Sequence, residues 1–492
     1  MTARVLGLDI GTTAVKAIAL DEAGRAVATA SVAHDGSTPR PGWAEGDPER
    51  WWANAVEAVR RLGAETALDG VGMVGVSGMV PALICLDDAG RVLRPSIQQN
   101  DARTAAEIVA LRASLPAEDF LAATGQPISQ QLVLPRLLWL RRHEPDVYRR
   151  IRRILGSYDL VTHRLTGEWS LERNWALESG FWDARRHDWY PPAFAAVATP
   201  ETWLPPVRAA HDVVGVVTPT AAAATGLRAG TPVIAGSADH VAAALAAGSG
   251  PGELVLKIGG GGDVLYGVDR FAPDPRLFID YHDLPDRFLL NGCMVASGLL
   301  VQWFADVFGR DLGPGEDRYA RLDAEAAPTP PGADGLVVLP YFLGEKTPIF
   351  DAEARGMISG LTLGHGRGHL FRAMLEAVAY GFRHHVDVLL EGGHPIRSIR
   401  IMDRGARSPL WRQIVADVLG RSIEYAPGAD LGSAFGVAWV AGVAQGAWGW
   451  TRPPEPADAG AVHHPVPERT ARYDALYRRY LELGGVRPGG LR

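Results

Sequence analysis

The order of apolar and polar positions near the N-terminus predicts three strands. Short runs of small and β-branched apolar residues are interrupted by turns, and Asp21–Gly24 is the second of these turns. The predicted strands are Val5–Asp9, Ala14–Leu20 and Ala26–Val32. The chain therefore begins with strands that are joined by short turns.

Helical spacing begins after these strands. Asp47 is a residue type that caps helix N-termini, and Pro48 suits the first helical position. Trp52, Val56 and Val59 then fall on one face of the predicted helix. Further apolar runs predict strands at Val71–Val76, at Ala82–Leu86 with a hairpin to Val92, and around Pro95–Gln98.

The pattern partly recurs beyond residue 250. Two strands flank a glycine run and three helices follow, with strands at Glu253–Ile258 and Asp263–Val268 and helices at Gly298–Phe308, His369–Leu390 and Ser408–Leu419. A stretch of small residues, Ala246–Gly252, separates the two halves. We therefore expect two α/β domains, at residues 1–247 and 248–492, that face each other across a cleft.

Composition excludes several classes of protein. The 492 residues are 47% hydrophobic and 21% charged, which is typical of a globular chain. Lys and Arg number 49 against 56 Asp and Glu, so the net charge of −7 does not favour nucleic acid as a partner. Cys85 and Cys293 form neither a metal-binding nor a disulfide pattern, which fits a reducing cytoplasm.

No segment is expected to enter a membrane. Asp9 lies where the apolar region of a signal peptide would be. One uncharged stretch, Leu431–Thr451, is rich in Ala and Gly, so its energy of insertion into a bilayer would be poor. This stretch predicts a buried helix followed by a turn, and we expect a cytoplasmic protein.

The turn between the first two predicted strands could bind phosphate. Gly11 allows backbone amides to face an anion, and Thr12 and Thr13 add hydroxyl donors. Asp9 could hold a hydrated Mg²⁺ that bridges phosphate oxygens, and Lys16 follows the turn. An ordinary tight turn is the alternative. The spacing is neither that of a Walker A loop nor that of a dinucleotide-binding GxGxxG motif.

Two further turns are candidates for contacts with a nucleotide. Gly259–Gly262, followed by Asp263, predicts a second phosphate loop, with a flexible hairpin as the alternative. Asp403–Ser408 lies between the predicted strand Ile396–Met402 and a helix, where small residues could let an adenine ring lie against the backbone. A simple turn before the helix is the alternative there.

Acidic residues at two strand ends could contact a substrate. Asp239 follows the apolar strand Pro232–Ala235, where a carboxylate could act as general base toward a hydroxyl. The alternative is that Asp239 caps the following helix, and His240 is expected to be a packed neighbour. Asp101 and Arg103 could together bind vicinal hydroxyls, with an exposed surface pair as the alternative.

Taken in order, these motifs resemble those of the FGGY family of carbohydrate kinases, and most closely its xylulokinase-like branch. The resemblance covers nearly the whole chain. It rests on the segments Gly7–Thr13, Asn100–Arg103, Gly236–His240, Gly356–Leu361, Ala373–Glu376 and Gly405–Trp411.

The resemblance implies two ribonuclease-H-like domains, as in the actin, hexokinase and Hsp70 superfamily, that close around ATP, Mg²⁺ and a sugar. It implies that Asp239 is the general base and that Asp9 lies near the metal. The nucleotide would contact Gly11, Thr12, Thr13, Lys16, Gly259, Gly260, Gly405 and Ala406, and the sugar would contact Met79, Val80, Asp101, Arg103 and Asp239.

Several positions depart from the pattern of the family. Met79–Pro81 stands where xylulokinases usually have Gln-Met-His, so polar partners for sugar hydroxyls are lost. Gln99 stands for an expected Trp, Gly260 for an expected Thr, and Arg136 for an expected Lys. Arg404 replaces one glycine of the adenosine motif, which would narrow or charge that pocket. A kinase is still expected, while the identity of its sugar is left open.

We therefore expect ATP-dependent phosphorylation of a hydroxyl of a small sugar or polyol, with a ketopentose such as xylulose as the first candidate. The alternatives are a superfamily ATPase that needs no sugar and a weakly catalytic sensor of nucleotide or sugar. A nicotinamide dehydrogenase is disfavoured because no GxGxxG motif follows the first strand. No nucleic-acid or membrane partner is expected, and a homodimer is left open.

Overall fold

The computed structural model describes residues 4–40, 42–313, 315–426, 431–450 and 460–485. The chain forms two compact units. The first comprises Met1–Gly248, Val268–Leu289 and Leu431–Pro454, and the second comprises Ser249–Gly267, Leu290–Asp430 and Glu455–Arg492. Because these units are discontinuous in sequence, the division into continuous domains at residues 1–247 and 248–492 stays a prediction, as does the cleft.

The elements of the chain up to residue 248 follow one another in a mixed α/β order. The strands are β1 (Val5–Ile10), β2 (Ala14–Leu20), β3 (Ala26–Ala33), β4 (Glu45–Gly46), β5 (Met73–Gly78), β6 (Ile84–Leu86), β7 (Ser96–Ile97), β8 (Arg153–Leu155), β9 (Leu171–Glu172), β10 (Trp182–Asp183), β11 (Asp188–Trp189), β12 (Val207–Arg208), β13 (Val213–Val216), β14 (Pro232–Ile234) and β15 (Ser237–Ala238). The helices are α1 (Pro48–Glu65), α2 (Ala105–Ser114), α3 (Ala117–Thr124), α4 (Val133–His143), α5 (Pro145–Arg150), α6 (Ser157–Thr166), α7 (Arg173–Ser179), α8 (Pro191–Val197), α9 (Pro219–Thr225) and α10 (Asp239–Ala246).

The described residues beyond 248 repeat this mixture. The strands are β16 (Glu253–Ile258), β17 (Gly262–Val268), β18 (Phe278–Tyr281), β19 (Phe288–Met294), β20 (Val337–Leu339), β21 (Met357–Ser359), β22 (Ser398–Met402), β23 (Ile423–Tyr425) and β24 (Val462–His463). The helices are α11 (Gly298–Phe308), α12 (Glu316–Ala326), α13 (Arg367–Glu391), α14 (Pro409–Leu419), α15 (Gly432–Ala444) and α16 (Pro467–Leu483).

The main sheet of the first unit brings three strand ends to one edge. Its strand order is β13-β14-β5-β1-β2-β3, and β15 also pairs with β5. The β1–β2 pair is an antiparallel hairpin, whereas β1 and β15 both run parallel to β5. In this register Ile10 lies opposite Gly78, and Gly78 lies opposite Ala238. The residues that follow β1, β5 and β15 therefore emerge at the same edge.

Helix α15 packs directly on this sheet because glycines allow close approach. A β-carbon on Gly75 of β5 would lie 2.6 Å from the carbonyl oxygen of Val437, and one on Gly436 would collide with the carbonyl of Ala242 in α10. The helix is buried, as predicted for the uncharged stretch Leu431–Thr451, whose last residue lies outside the described residues. Among the described residues, no helix combines the length and apolar character needed to cross a membrane.

Local signals placed several element ends correctly. The Asp47 side chain accepts hydrogen bonds from two amides in the first turn of α1, and Pro48 is the first helical residue, as predicted. Strand β5 begins at Met73 rather than at the predicted Val71, because the amide of Val71 donates to the carbonyl of Leu68 in a turn. In the second unit the Ser408 hydroxyl accepts from the amide of Trp411 and caps α14.

The sheet of the second unit repeats the arrangement of β1, β2 and β5. Its strands follow the order β19-β17-β16-β22-β23-β24. The β16–β17 pair is an antiparallel hairpin around the glycine run, and β22 runs parallel to β16 with Met402 opposite Lys257. The carboxyl ends of β16 and β22 are therefore neighbours. Two α/β units, each built on a mixed sheet, confirm the predicted fold class.

Candidate functional site

Asp239 lies at the edge of the first sheet, where β15 ends and α10 begins. Ala238 occupies the N-cap position, so Asp239 is the first residue of the helix and not its cap. Its carboxylate Oδ1 accepts a hydrogen bond from the amide of His240 at 2.7 Å. The side chain is 27% exposed, so the carboxylate is held by the helix while part of it faces outward.

Backbone hydrogen bonds hold the turn that joins β1 and β2. The Gly11 amide donates to the carbonyl of Ala14 at 3.1 Å, and the Thr13 carbonyl accepts from the amide of His34 at 2.9 Å. The side chains of Thr12 and Thr13 are exposed. The backbone of the turn is therefore held by hydrogen bonds, and both threonines are accessible to an anion.

Asp9 is the buried acid beneath this turn. It is 4% exposed, and the Ser77 hydroxyl donates to its Oδ1 at 3.2 Å. Lys16 lies directly opposite Asp9 on β2, so the two side chains share one face of the sheet. A carboxylate offers the hard oxygen donors that suit a hydrated Mg²⁺. The role of Asp9 toward a metal stays a prediction.

The register brings most of the predicted residues of the first unit to one edge. Gly11, Met79 and Asp239 each follow the last residue of a strand, and these strands are neighbours. The Met79 amide continues the pairing by donating to the carbonyl of Ile10 at 3.0 Å. The turn at Gly11 and the Asp239 backbone are thus two strand spacings apart, roughly 10 Å. This separation is short enough for a small substrate to reach from a phosphate bound at the turn to the Asp239 carboxylate.

The loop after β5 is held by a buried arginine. Met79 and Val80 are buried, and the Met79 carbonyl accepts from the Ser157 hydroxyl at 2.8 Å. The guanidinium of Arg136 donates to the carbonyl of Pro81, and burial lowers its pKa to about 10. The arginine that replaces the expected lysine therefore supports the loop on which the predicted sugar contacts lie.

Asp101 and Arg103 form a buried pair, so the alternative of an exposed surface pair is wrong. Their side chains are 0% and 1% exposed. Asp101 accepts the Arg103 guanidinium on both oxygens, at 2.8 and 2.7 Å, and the amide of Ala44 at 2.6 Å. Arg103 also donates to Glu45 Oε1 at 2.8 Å. Asp101 thus fixes the orientation of the guanidinium.

Two tryptophans complete the surroundings of Arg103. Its guanidinium carbon lies 3.6 Å from the ring centroid of Trp43 and 4.9 Å from that of Trp139. The remaining nitrogen, Nη1, is buried and has no hydrogen-bond partner within the described residues. A buried guanidinium N–H without a partner is costly, so this nitrogen is suited to donate to an oxygen of a bound ligand.

The sequence did not indicate a buried polar cluster behind Asp239. His240 Nε2 lies 2.9 Å from Asp280 Oδ2, and ligand atoms of Glu178, His240 and Asp280 all lie within 4.8 Å of one another. Such spacing would accommodate a cation, but the 2.9 Å contact is a hydrogen bond that needs a proton on Nε2. The only signal was an acid inside the apolar strand β18.

The acid–base properties of this cluster follow from its burial. Burial, followed by the charge of Asp280, raises the pKa of Glu178 to about 8. Burial alone would lower the pKa of His240, but the facing carboxylates of Asp280 and Asp239 outweigh it and raise the pKa well above its usual value. These directions favour the charged form of the ring and the protonated form of Glu178 at neutral pH.

In the second unit, the glycine run after β16 is fixed to the start of α11. The Gly259 carbonyl accepts from the amide of Gly298 at 2.8 Å, and the Gly260 carbonyl accepts from the amides of Ser297 and Leu299, each at 3.0 Å. These bonds do not fit the alternative of a flexible hairpin. The predicted phosphate contacts of Gly259 and Gly260 stay a prediction.

Gly405 and Ala406 lie next to this glycine run. A β-carbon on Gly405 would collide with Ile258, the last residue of β16, and Ala406 is fully buried. Asp403, which follows β22, has a φ of 75° and accepts from the amide of Arg404 at 2.7 Å. The Arg404 residue is exposed. The two predicted nucleotide-binding turns are thus adjacent within this unit, and their contacts with a nucleotide stay a prediction.

Each unit has glycine-containing turns that follow parallel strands, and in the first unit a partly exposed carboxylate lies at the same edge as one turn. These are features of phosphotransferases with the sugar kinase and actin fold. The chain matches the models of the FGGY family of carbohydrate kinases, with the N-terminal domain at residues 4–246 and the C-terminal domain at residues 273–445. The chain belongs to this family and is a sugar phosphotransferase, which confirms the resemblance of its motifs.

Individual relatives extend this result over nearly the full length. The xylulose kinase of Escherichia coli (strain K12) is 33% identical over 442 residues, which are 89% of this chain and 90% of the relative. The crystal structure of xylulose kinase from Rhodospirillum rubrum is 45% identical, with a TM-score of 0.88 and coverage of 98% of each chain. The crystal structure of Plasmodium falciparum glycerol kinase with ADP, at 19% identity, has a TM-score of 0.84 over 99% of each chain and shows the fold alone.

Proposed function

We propose that this protein transfers the terminal phosphoryl group of ATP, with Mg²⁺, to a hydroxyl of a ketopentose, and that xylulose is its substrate. The observation that carries the proposal is the position of Asp239 at the same sheet edge as the turn formed by Gly11, Thr12 and Thr13. The similarity to xylulose kinases over nearly the full length supports the choice of sugar.

Asp239 acts as the general base. As the sugar oxygen forms its bond to the terminal phosphorus, the bond from that phosphorus to the ADP oxygen breaks, and the hydroxyl proton passes to the carboxylate. Phosphoryl transfer needs little more than this and correct positioning, because the proton leaves late. The partial exposure of Asp239 allows its carboxylate to meet a hydroxyl.

The phosphate contacts are assigned to the glycine turns. Within the first unit, nucleotide contacts are assigned to Gly11, Thr12, Thr13 and Lys16; within the second unit, they are assigned to Gly259, Gly260, Gly405 and Ala406. Mg²⁺, when bound, neutralises charge on the phosphates, and Asp9 with its hard carboxylate oxygens is the residue that would hold it. Lys16 shares the face of Asp9 and adds a positive charge for the same phosphates.

The sugar contacts are assigned to Arg103 and to the loop of Met79 and Val80. The unpartnered Nη1 of Arg103 donates to a sugar oxygen, while Asp101 acts through Arg103 by orienting the guanidinium. Met79 and Val80 supply an apolar surface in place of the polar residues that xylulokinases usually carry there. With one fewer set of polar partners, selectivity between ketopentoses is expected to be low.

The test is a sugar-dependent measurement of ADP release. The purified protein is given ATP and Mg²⁺ with D-xylulose, D-ribulose, glycerol or no acceptor, and ADP is followed with a coupled assay. The proposal predicts that D-xylulose accelerates ADP release at least about tenfold over the reaction without acceptor. Equal ADP release without a sugar would contradict it in favour of an ATPase, and absence of ATP binding by calorimetry would contradict it in favour of a sensor. The cytoplasmic location stays a prediction, and a homodimer is still left open.

A further inference from the structure

The imidazole of His240 lies between two carboxylates. Its Nε2 is 2.9 Å from Oδ2 of Asp280, and its Nδ1 is 3.5 Å from Oδ1 of Asp239. The ring is almost fully buried, with 10% of the side chain exposed, and Asp280 is not exposed at all. Both ring nitrogens thus face carboxylate oxygens. The shorter contact is a hydrogen bond, and the longer one is an ion pair when the ring carries two protons.

We propose that His240 is a positioning residue for the phosphoryl transfer: as an imidazolium anchored on Asp280, it holds the carboxylate of Asp239 in place and in its ionised form. The inference rests on the proposed function, because it assumes that Asp239 is the base. It concerns a residue that the sequence indicated only as a packed neighbour.

Four acids interact electrostatically with the ring. Asp239 precedes the ring on α10, Asp280 lies on β18, and Glu178 lies on α7. A carboxylate oxygen of Glu178 lies within 4.8 Å of a ring nitrogen of His240 and of a carboxylate oxygen of Asp280. Burial raises the pKa of Asp283 to about 6. The hydrogen bonds from the Ser237 hydroxyl, at 3.0 and 2.9 Å, and then the charges of Arg173 and His240 oppose this rise. Of these acids, Asp280 and Asp239 are the two whose oxygens contact the ring nitrogens.

The cation changes the chemistry of Asp239 in a predictable direction. A positive charge 3.5 Å from the Asp239 carboxylate favours its ionised form over the carboxylic acid. The same contact, together with the hydrogen bond from the backbone amide of His240 at 2.7 Å, restricts rotation of the carboxylate. A base held in this way keeps the orientation in which it can accept a proton.

The test is the pH profile of His240→Gln, which keeps the volume of the side chain but cannot carry the charge. Without the cation Asp239 needs a higher pH to ionise, so the acidic limb of kcat/KM for the sugar moves up by about one pH unit. The KM for ATP is expected to stay within about twofold, since the ring acts on the acids around it and not on the phosphate turns. Asp280→Asn, which removes the anchor, is expected to move the limb in the same direction.

Asp283→Asn is the matched control because it also removes a buried acid from the same segment but leaves the contacts of the ring with Asp239 and Asp280 intact. Its acidic limb is expected to stay within about 0.3 pH unit of the parent. An active His240→Gln protein whose limb coincides with that of the parent would overturn the proposal. A simply structural role would lower kcat without moving the limb.

A second measurement does not depend on activity. The parent protein is labelled with ¹⁵N at histidine for NMR, and the His240 signal is assigned as the one that shifts in Asp280→Asn. We expect this ring to remain doubly protonated from about pH 6 to about pH 8. A neutral ring at pH 7 would overturn the proposal even if His240→Gln fails to fold. If instead the parent shows no sugar-dependent ADP release, or if Asp239→Asn retains it, the proposed function fails while the charge state of His240 is still decided by the spectrum.

Discussion

The second phosphate loop offers a direct test through a gain of function. Gly260 stands where the family usually has a threonine, and its φ lies outside the left-handed range that only glycine adopts freely. A β-carbon there would lie 3.5 Å from Cγ of Leu299, which is an ordinary van der Waals contact. Gly260→Thr is therefore expected to fold normally and to restore a hydroxyl donor to the loop.

The expected magnitude follows from one added hydrogen bond to a charged phosphate. Such a bond contributes about 1.5–3 kcal/mol, from which side-chain ordering and the exposure of the loop subtract about half. A net gain of about 1 kcal/mol corresponds to a fall of about fivefold in the dissociation constant for ATP. The gain should appear in binding, and it should appear in KM for ATP if chemistry is slow relative to dissociation.

The assay is ATP titration calorimetry on the parent, Gly260→Thr and Gly260→Val. Valine has nearly the shape of threonine but no hydroxyl, so it separates the hydrogen bond from the added bulk. We expect Gly260→Thr to bind ATP about fivefold more tightly than Gly260→Val. As a steric control, Gly261→Ala should perturb the loop, because its β-carbon would lie 2.7 Å from the carbonyl oxygen of Met294.

Equal affinities of Gly260→Thr and Gly260→Val for ATP would refute this reasoning. That result would mean that no phosphate oxygen lies within hydrogen-bond reach of position 260, and the assignment of the second phosphate loop would be lost. A loss of binding in both variants, with an unchanged melting temperature, would place a phosphate so close to the backbone that no side chain fits.

Three further predictions concern the sugar site and the packing. Arg103→Lys keeps the charge but loses the paired bonds to Asp101, so KM for the sugar should rise at least about tenfold with a smaller change in kcat, and an unchanged KM would contradict the assignment. At the positive φ of Asp403, the Gly variant should be more stable than the Ala variant by about 1–2 kcal/mol, measured as the order of their melting temperatures. Gly436→Ala should lower the free energy of unfolding by roughly 1–3 kcal/mol, because its β-carbon meets the backbone of α10. Gly63→Ala, on the exposed face of α1, should raise it by about 0.5–1 kcal/mol. Urea denaturation that gives both changes the same sign would contradict this prediction.

Much of the local structure could be predicted because its causes are local. The cap at Asp47 and the cap at Ser408 are set by residues within three positions of the helix start, and both were confirmed. The hairpins β1–β2 and β16–β17 follow from apolar runs that are separated by glycine-containing turns. Strand β5 started two residues later than predicted, since a turn used the amide of Val71 and apolar character alone does not reveal this.

The site could be predicted only in part because its contacts join distant parts of the chain. The position of Asp239 at a strand end was visible in the sequence, but its neighbour His240 bonds to Asp280, forty residues later. The pair Asp101 and Arg103 was visible as well, yet its burial depends on the amide of Ala44 and on two tryptophans. Long-range pairing of this kind leaves no periodic signal in the sequence.

The most direct test of the assigned chemistry is a single-turnover measurement on Asp239→Asn. Parent and variant are loaded with D-xylulose, mixed with ATP labelled in its terminal phosphate, and quenched at intervals to count the label on the sugar, while calorimetry measures ATP affinity separately. We predict that transfer to the sugar slows by about 10²- to 10⁴-fold while the dissociation constant for ATP changes by less than about twofold. Transfer by the variant at a rate close to that of the parent would show that another group accepts the proton.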